Sequence, residues 1–193
     1  MAAEFDIRKT VDNVGQLLTR VATLTASDIL VGVPEDKTGR SDGTINNATL
    51  AYIHEFGSPA KNIPARPFLF PGVRKARPQV IAVMRQGAKD AMQGKGTVDA
   101  TLNKAGMIAR NAVIEAITDP VPPFVPLQAA TIRARLRRTQ AGRRQIRKAQ
   151  KQALLDGTST AAVLSNWGAA GNIKPLIDTG ALRASISYVV DKR

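Results

Sequence analysis

The sequence predicts an α+β fold in which long amphipathic helices outweigh a small sheet of two short strands. Apolar residues recur at three- and four-residue steps over 5–26. The stretches 71–94 and 97–118 keep helical periodicity, with alanine and valine recurring along one side. Ile29–Val33 and Ser185–Val190, near opposite ends of the chain, are short runs rich in β-branched residues.

Taken in order, Ile7, Val11, Val14, Leu18 and Val21 step by four, three, four and three, and Asp6 stands where a helix cap belongs. This predicts a core-facing helix, although heptad-like spacing also suits packing on a partner. Ile29–Val33, bounded by Asp28 and Pro34, reads as a strand. Residues 34–46 are polar, contain two glycines and read as a loop or hairpin tip.

The middle, LAYIHEFGSPAKNIPARPFL at 50–69, reads as a device for fixing chain shape. Asn46 and Asn47 offer side-chain oxygens to cap a short helix whose Leu50, Ile53 and Phe56 share one face. Gly57 can take the positive φ that ends it, and Pro59 prevents continuation. Pro64 and Pro67 fix their own φ and push Ile63 and Arg66 into extended conformations, giving a stiff strap. Phe68, Leu69 and Phe70 then deliver an apolar load to the core. Pro71 suits the first turn of the next helix.

That helix, to Gly94, has Val73, Val80, Ile81, Met84 and Ala88 as candidate buried positions and Pro78 as a bend or as the true start. Thr97 caps the next, which points Val98, Leu102, Ala105, Ala109, Ala112 and Val113 inward. Pro122, Pro123 and Pro126 make a stiff linker around Phe124.

From Leu127 the character changes. Arg133, Arg135, Arg137, Arg138, Arg143, Arg144, Arg147, Lys148 and Lys151 crowd one segment, and no Asp or Glu occurs between Asp119 and Asp156. With few large apolar residues and like charges at helical neighbour spacing, this segment is expected to bury little by itself and to be an arm ordered by a partner, or mobile and partly flexible without one. Residues 156–172 read as a small-residue linker anchored by Trp167. Asp178-Thr179-Gly180 makes a turn, and Ser185–Val190 closes the chain by pairing with Ile29–Val33. The domain organisation expected is a single α+β core domain, 1–138 plus 173–193, carrying a basic extended arm or insertion at 139–172.

Composition excludes much chemistry. The 193 residues contain no cysteine, so disulfides, thiolate metal sites and cysteine nucleophiles are absent. His54 is the sole histidine and reads as a packing or interface residue. His54-Glu55 lacks the second histidine of a zinc-protease helix, because Ser58 stands there. Gly94-Lys95-Gly96 fails as a phosphate loop, with Lys89 at the required earlier glycine and Gly96 at the magnesium-binding hydroxyl. Glu55 and Asp178 read as ion-pair partners for Arg66 or Arg183 rather than an acid–base couple. No enzyme, cofactor or metal is expected. No apolar run reaches membrane-span length and no signal peptide opens the sequence, so a cytoplasmic protein without a membrane partner is expected. Lysine and arginine number 28 against 15 aspartates and glutamates, a net charge of +13, which raises association with nucleic acid or acidic surfaces. The basic run has no aromatic platforms, so DNA contact, where it occurs, is to the phosphate backbone.

HEFG followed by IPARPF within 50–69, PLQAATIRAR at 126–135 and PLIDTGALRASISYVV at 175–190 occur in that order. The ordered set resembles the neck or tail-completion (virion morphogenesis) proteins of long-tailed bacteriophages over most of the chain. The resemblance implies a small antiparallel sheet packed against long helices, a ring at the head–tail junction, and no enzymatic role. By the same resemblance, Glu55, Phe56, Gly57, Pro64, Arg66, Pro67 and Phe68 form the shaping motif, and Asp178, Thr179, Gly180 and Leu182 mark the turn into the last strand. Partners so implied are other copies of the chain in a homo-oligomeric ring, a head-closure (stopper) protein, and a tail-terminator or tail-tube protein. DNA in the channel would meet phosphate-binding cations. The location implied is the virion neck, reached from the host cytoplasm during assembly. The segment 139–172 is long and basic beside simpler members, and is expected to line the channel or clasp a neighbouring ring. A tail-terminator ring of the same junction is the rival within this class. A sequence-independent DNA-binding protein using 133–151 is the alternative outside it.

Overall fold

A computed structural model describes residues 7–37, 39, 45–171 and 173–192, with side chains from Val14 onward. Asp6, expected to cap the first helix, lies outside the described residues, as do the side chains of Ile7 and Val11. The chain divides into two compact units. The first comprises Met1–Gly39, Leu69–Ile114 and Ser185–Arg193, the second Arg40–Phe68 and Glu115–Ala184.

In the first unit, helix α1 (Ile7–Thr25) leads into strand β1 (Ser27–Gly32), which pairs antiparallel with β2 (Ser187–Lys192) in a two-stranded sheet. Ile29 stands opposite Val190 and Leu30 opposite Val189, so the expected pairing of the terminal strands is found. The fold is α+β, a small antiparallel sheet against long helices. Helix α3 (Leu69–Met92) and the part of α4 (Val98–Thr118) up to Ile114 complete this unit. β2 lies along α4: the Tyr188 hydroxyl donates to Asn103 Oδ1 at 3.1 Å, and Arg110 Nε donates to the Ile186 carbonyl at 3.0 Å. Gly106 makes room for the Tyr188 ring, since a Cβ there would fall 2.3 Å from it. Leu102, Ala105, Ala109 and Val113 of α4 are buried as expected, and the Thr97 hydroxyl accepts the Ala100 amide at its start.

α3 departs from expectation. Its buried positions are Gly72, Ala76, Gly87 and Ala91, while Val73 and Ile81 are exposed. A Cβ on Gly72 would meet Val113 Cα at 2.6 Å, and one on Gly87 would meet the Thr101 side chain. The helix is therefore held by close backbone approach, which only small residues permit. Pro78 lies inside it without ending it. On α1, Val14 (54% exposed), Leu18 (62%) and Val21 face solvent, so the described part of the expected stripe is not buried.

In the second unit, α5 (Ala129–Arg137), α6 (Gln140–Leu155) and α7 (Thr160–Ala169) pack on one another around Leu127, Ile132, Ala149, Ala153, Val163 and Leu164. The basic segment thus buries Leu127, Ile132, Ala149 and Ala153 in a core completed by α7, contrary to the expectation that it buries little. The expected linker 156–172 contains α7, which Ser159 caps by accepting the Ala162 amide. Trp167 packs, partly buried, against the same core. Alanine and glycine do much of the work: a Cβ on Gly142 would strike the Leu136 carbonyl, and one on Gly168 would crowd Ile132. A short helix, α8 (Ala181–Ser185), precedes β2, so Ser185 ends a helix rather than opening the strand.

Candidate interaction surfaces

The shaping motif lies in the second unit. Asn46 Oδ1 accepts the Thr49 amide at 2.7 Å and opens α2 (Asn47–Phe56), as the sequence suggested. Gly57 ends it at φ +79°, its N–H donating to the Ile53 carbonyl. The next residues do not run straight. Ser58 and Ile63 form a β-bridge around a 3₁₀ turn at Pro59–Lys61, closed by Asn62 at φ +53°. A tight hairpin therefore precedes the extended strap, and the Arg66 amide ties the strap back to the His54 carbonyl at 2.6 Å.

Glu55 and Arg66, both buried, fasten this strap. Glu55 was expected as an ion-pair partner of Arg66; its Oε2 instead accepts the Phe68 amide at 2.8 Å. Arg66 Nε donates to the Val125 carbonyl at 3.0 Å and its Nη2 reaches the Pro126 carbonyl. Burial holds the Arg66 guanidinium below its ordinary pKa, and the charge of Arg135 adds to the effect. Phe68 is 1% exposed, but Phe70, expected with it in the core, is 62% exposed because the first turn of α3 points it outward. Phe56 is also exposed and forms a tilted ring pair with Tyr52, centroids 4.8 Å apart. Pro64 and Pro67 are exposed along the strap, and His54 is half-buried.

The C-terminal turn is fastened in the same way. Arg135 donates to the carbonyls of Lys174, Pro175 and Ile177, with its Nε 3.6 Å from Asp178 Oδ2. Arg138 pairs with the same carboxylate oxygen. Asp178 therefore serves Arg135 and Arg138, not the expected Arg183. Burial lowers the Arg135 pKa first, Asp178 opposes that shift, and Arg138 adds to it. Gly180 takes φ +83° and Leu182 is buried beyond it, while Thr179 Oγ1 accepts the Ala181 amide weakly at 3.4 Å. Arg135 and Arg138, which the sequence places in the basic run 133–151 offered for DNA contact, are thus engaged in holding this turn.

The other cations of the run stay on the surface. Arg143, Arg144, Arg147, Lys148 and Lys151 are exposed on α6, while Gly142, Ile146, Ala149 and Ala153 are its buried positions. At 3.6 residues per turn the five cations span an arc of about 140°, opposite the buried face. Arg133 and Arg137 are exposed on α5, and Arg143 Nε donates to the Arg137 carbonyl at 3.0 Å, which joins the two helices at this corner. Leu154 and Leu155 end α6 exposed.

A feature the sequence did not disclose lies in the first unit. Leu30, Phe70, Val73, Val80, Arg74 and Arg77 line much of an open, largely apolar groove of about 510 Å³ beside β1. Val73 and Val80 carry its signal in the sequence, at positions whose helical periodicity points to the core. Among the described residues no group of three His, Asp or Glu side chains could hold a metal ion, and no helix is long and apolar enough to cross a membrane.

No family model and no solved structure matches the chain. A stretch of 77 residues, 40% of the chain, is 35% identical to a protein of Methanocaldococcus jannaschii described only as uncharacterized. The match spans 56% of that protein, less than two thirds of its length.

Proposed function

We propose that the chain is a structural subunit of the head–tail junction of a long-tailed bacteriophage, a neck or tail-completion protein. Copies would close into a homo-oligomeric ring between a head-closure protein and the tail terminator or tail tube, leaving a channel for DNA. The carrying observation is the use to which the motif's charged groups are put. Glu55, Arg66, Arg135 and Asp178 hold main-chain groups or each other at the strap and the turn. Such groups fix the shape of loops; they do not converge on a space where a substrate could react.

Two further features support a subunit over a solitary protein. The apolar face of α1 and the groove beside β1 remain open in the single chain. A ring needs two different, mutually complementary patches per subunit, because its interfaces are heterologous. The work is binding, with no cofactor. A tail-terminator ring would present the same features, one position further along the junction. Electron images of phage particles, with the chain marked by a bound antibody, test the proposal. Label at the collar supports it, and label confined to the capsid shell or tail tip, or absent from particles, contradicts it.

The basic face of α6 favours a second reading, a sequence-independent DNA-binding protein with the other elements as scaffold. The two separate on one variant: neutralising that face abolishes the activity of a DNA-binding protein but leaves ring formation intact.

A further inference from the structure

We infer that the outer face of α6, extended by Arg133 and Arg137 of α5, is a binding surface for the phosphate backbone of double-stranded DNA. For the source of that DNA it rests on the junction reading, in which a channel brings the duplex to the ring.

Geometry supplies the first reason. Arg147 and Lys151 lie one turn apart, about 6 Å along the axis, and Arg144 and Lys148 form a neighbouring row at the same pitch. All four are exposed, on the side of α6 turned away from Ile146, Ala149 and Ala153. The Arg143–Arg137 bond brings the end of α5 to the start of this face. No carboxylate occurs between Asp119 and Asp156 to compensate it.

Energetics supply the second. Arg144 with Lys148, and Arg147 with Lys151, are like charges at i,i+4 spacing and oppose the helix they sit on. The first turn of α6 contains no acidic residue, and Arg143 and Arg144 follow it closely, where the positive end of the helix dipole disfavours cations. Nothing within these two helices relieves that repulsion; a dense line of phosphates does.

Chemistry decides between polyanions. No aromatic residue occurs between Phe124 and Trp167, and Trp167 is packed against the core. Base stacking, which single-stranded binding requires, is therefore missing from the face. A helix that inserts into a lipid surface needs an apolar face beside its cations. Leu154 and Leu155 are exposed, but the remaining apolar residues of α6 are committed to the three-helix core. Arginine on α5 and at Arg144 and Arg147 suits phosphate, whose oxygens a guanidinium can take two at a time.

The test uses the purified full chain and fluorescently labelled duplexes of two unrelated sequences, titrated over a range of salt. The variant R144Q/R147Q/K148Q/K151Q spares Arg143, which braces the α5–α6 corner, and Gln retains helix propensity. A control, R85Q/K89Q/K95Q/K104Q, removes the same number of charges from exposed positions of the other unit, away from the groove beside β1. Both duplexes should bind alike, with affinity falling steeply as salt rises. The α6 variant should show a log–log salt slope shallower by about 3–4 per protomer, since each phosphate left unneutralised takes about 0.9 from the slope. The control should keep the parent slope, and thermal melting should show both variants folded. The inference is overturned if the parent chain does not bind duplex, or if the α6 variant keeps its slope. It is equally overturned if the control loses as much, or if single-stranded DNA or anionic vesicles bind more tightly than duplex. Ring mass measured on the same variant reports separately on the junction reading.

Discussion

Gly57 shows how a single residue sets the shape of the motif. Its φ of +79° and its approach to the strap, where a Cβ would lie 2.9 Å from the Ala65 nitrogen, both exclude a branched side chain. Gly57→Val should therefore cost about 1–3 kcal/mol in backbone strain before any clash is counted. In a domain of this size that is a fall in melting temperature of about 3–10 °C, read by circular dichroism. An unchanged melting curve would mean the strap does not depend on this turn. The requirement was legible in the sequence, because Gly-Ser-Pro after an apolar helical run has few other uses. The role of Arg135 was not. A tally of basic residues cannot tell a guanidinium that gathers three carbonyls from one that points into solvent. Burial lowers the pKa of both Arg66 and Arg135, so the folded state releases their protons more readily than the unfolded chain. Stability linked to them therefore rises with pH only within the strongly alkaline range just below where an arginine ordinarily titrates. Near neutrality both stay charged and contribute no pH dependence.

At the scale of elements, small residues decide which faces meet. α3 turns Gly72, Ala76, Gly87 and Ala91 inward, and α6 turns Gly142, Ala149 and Ala153 inward. Helical periodicity located α3 and α4, but choosing buried positions by size selected Val73 and Ile81, which are exposed. The same bias made the segment from Leu127 look able to bury little, since a count of large apolar residues misses burial achieved by close helix approach. The strands were easier: alternation and β-branching identified them, and the pairing of Ile29 with Val190 followed. Gly72→Ala tests the close-packing account, because the new methyl would press on the backbone of Val113. Overpacking of this kind costs about 1–3 kcal/mol, even though alanine is the better helix former. Stabilisation by this substitution, measured by urea unfolding, would show that α3 and α4 are not held by backbone proximity.

For the whole molecule, the division of labour follows the two units. The first joins residues near both ends of the chain in one sheet and leaves an apolar groove and an apolar helix face open. The second holds the strap, the C-terminal turn and the cationic face. A net charge of +13 was visible at once, but only the folded chain separates the fastening arginines from those turned to solvent. Exposed apolar residues on α1 are costly for a solitary protein and natural for a subunit, and burying them on a neighbour returns about 25 cal/mol per Å². That makes self-association the property on which the proposed function stands. The most direct measurement is the molar mass of the purified chain by light scattering across a concentration series, with electron images of the same sample. The account predicts a closed ring with a central hole, its mass a fixed multiple of 20.6 kDa. A monomer at every concentration, alone and with tail and head proteins added, would contradict it.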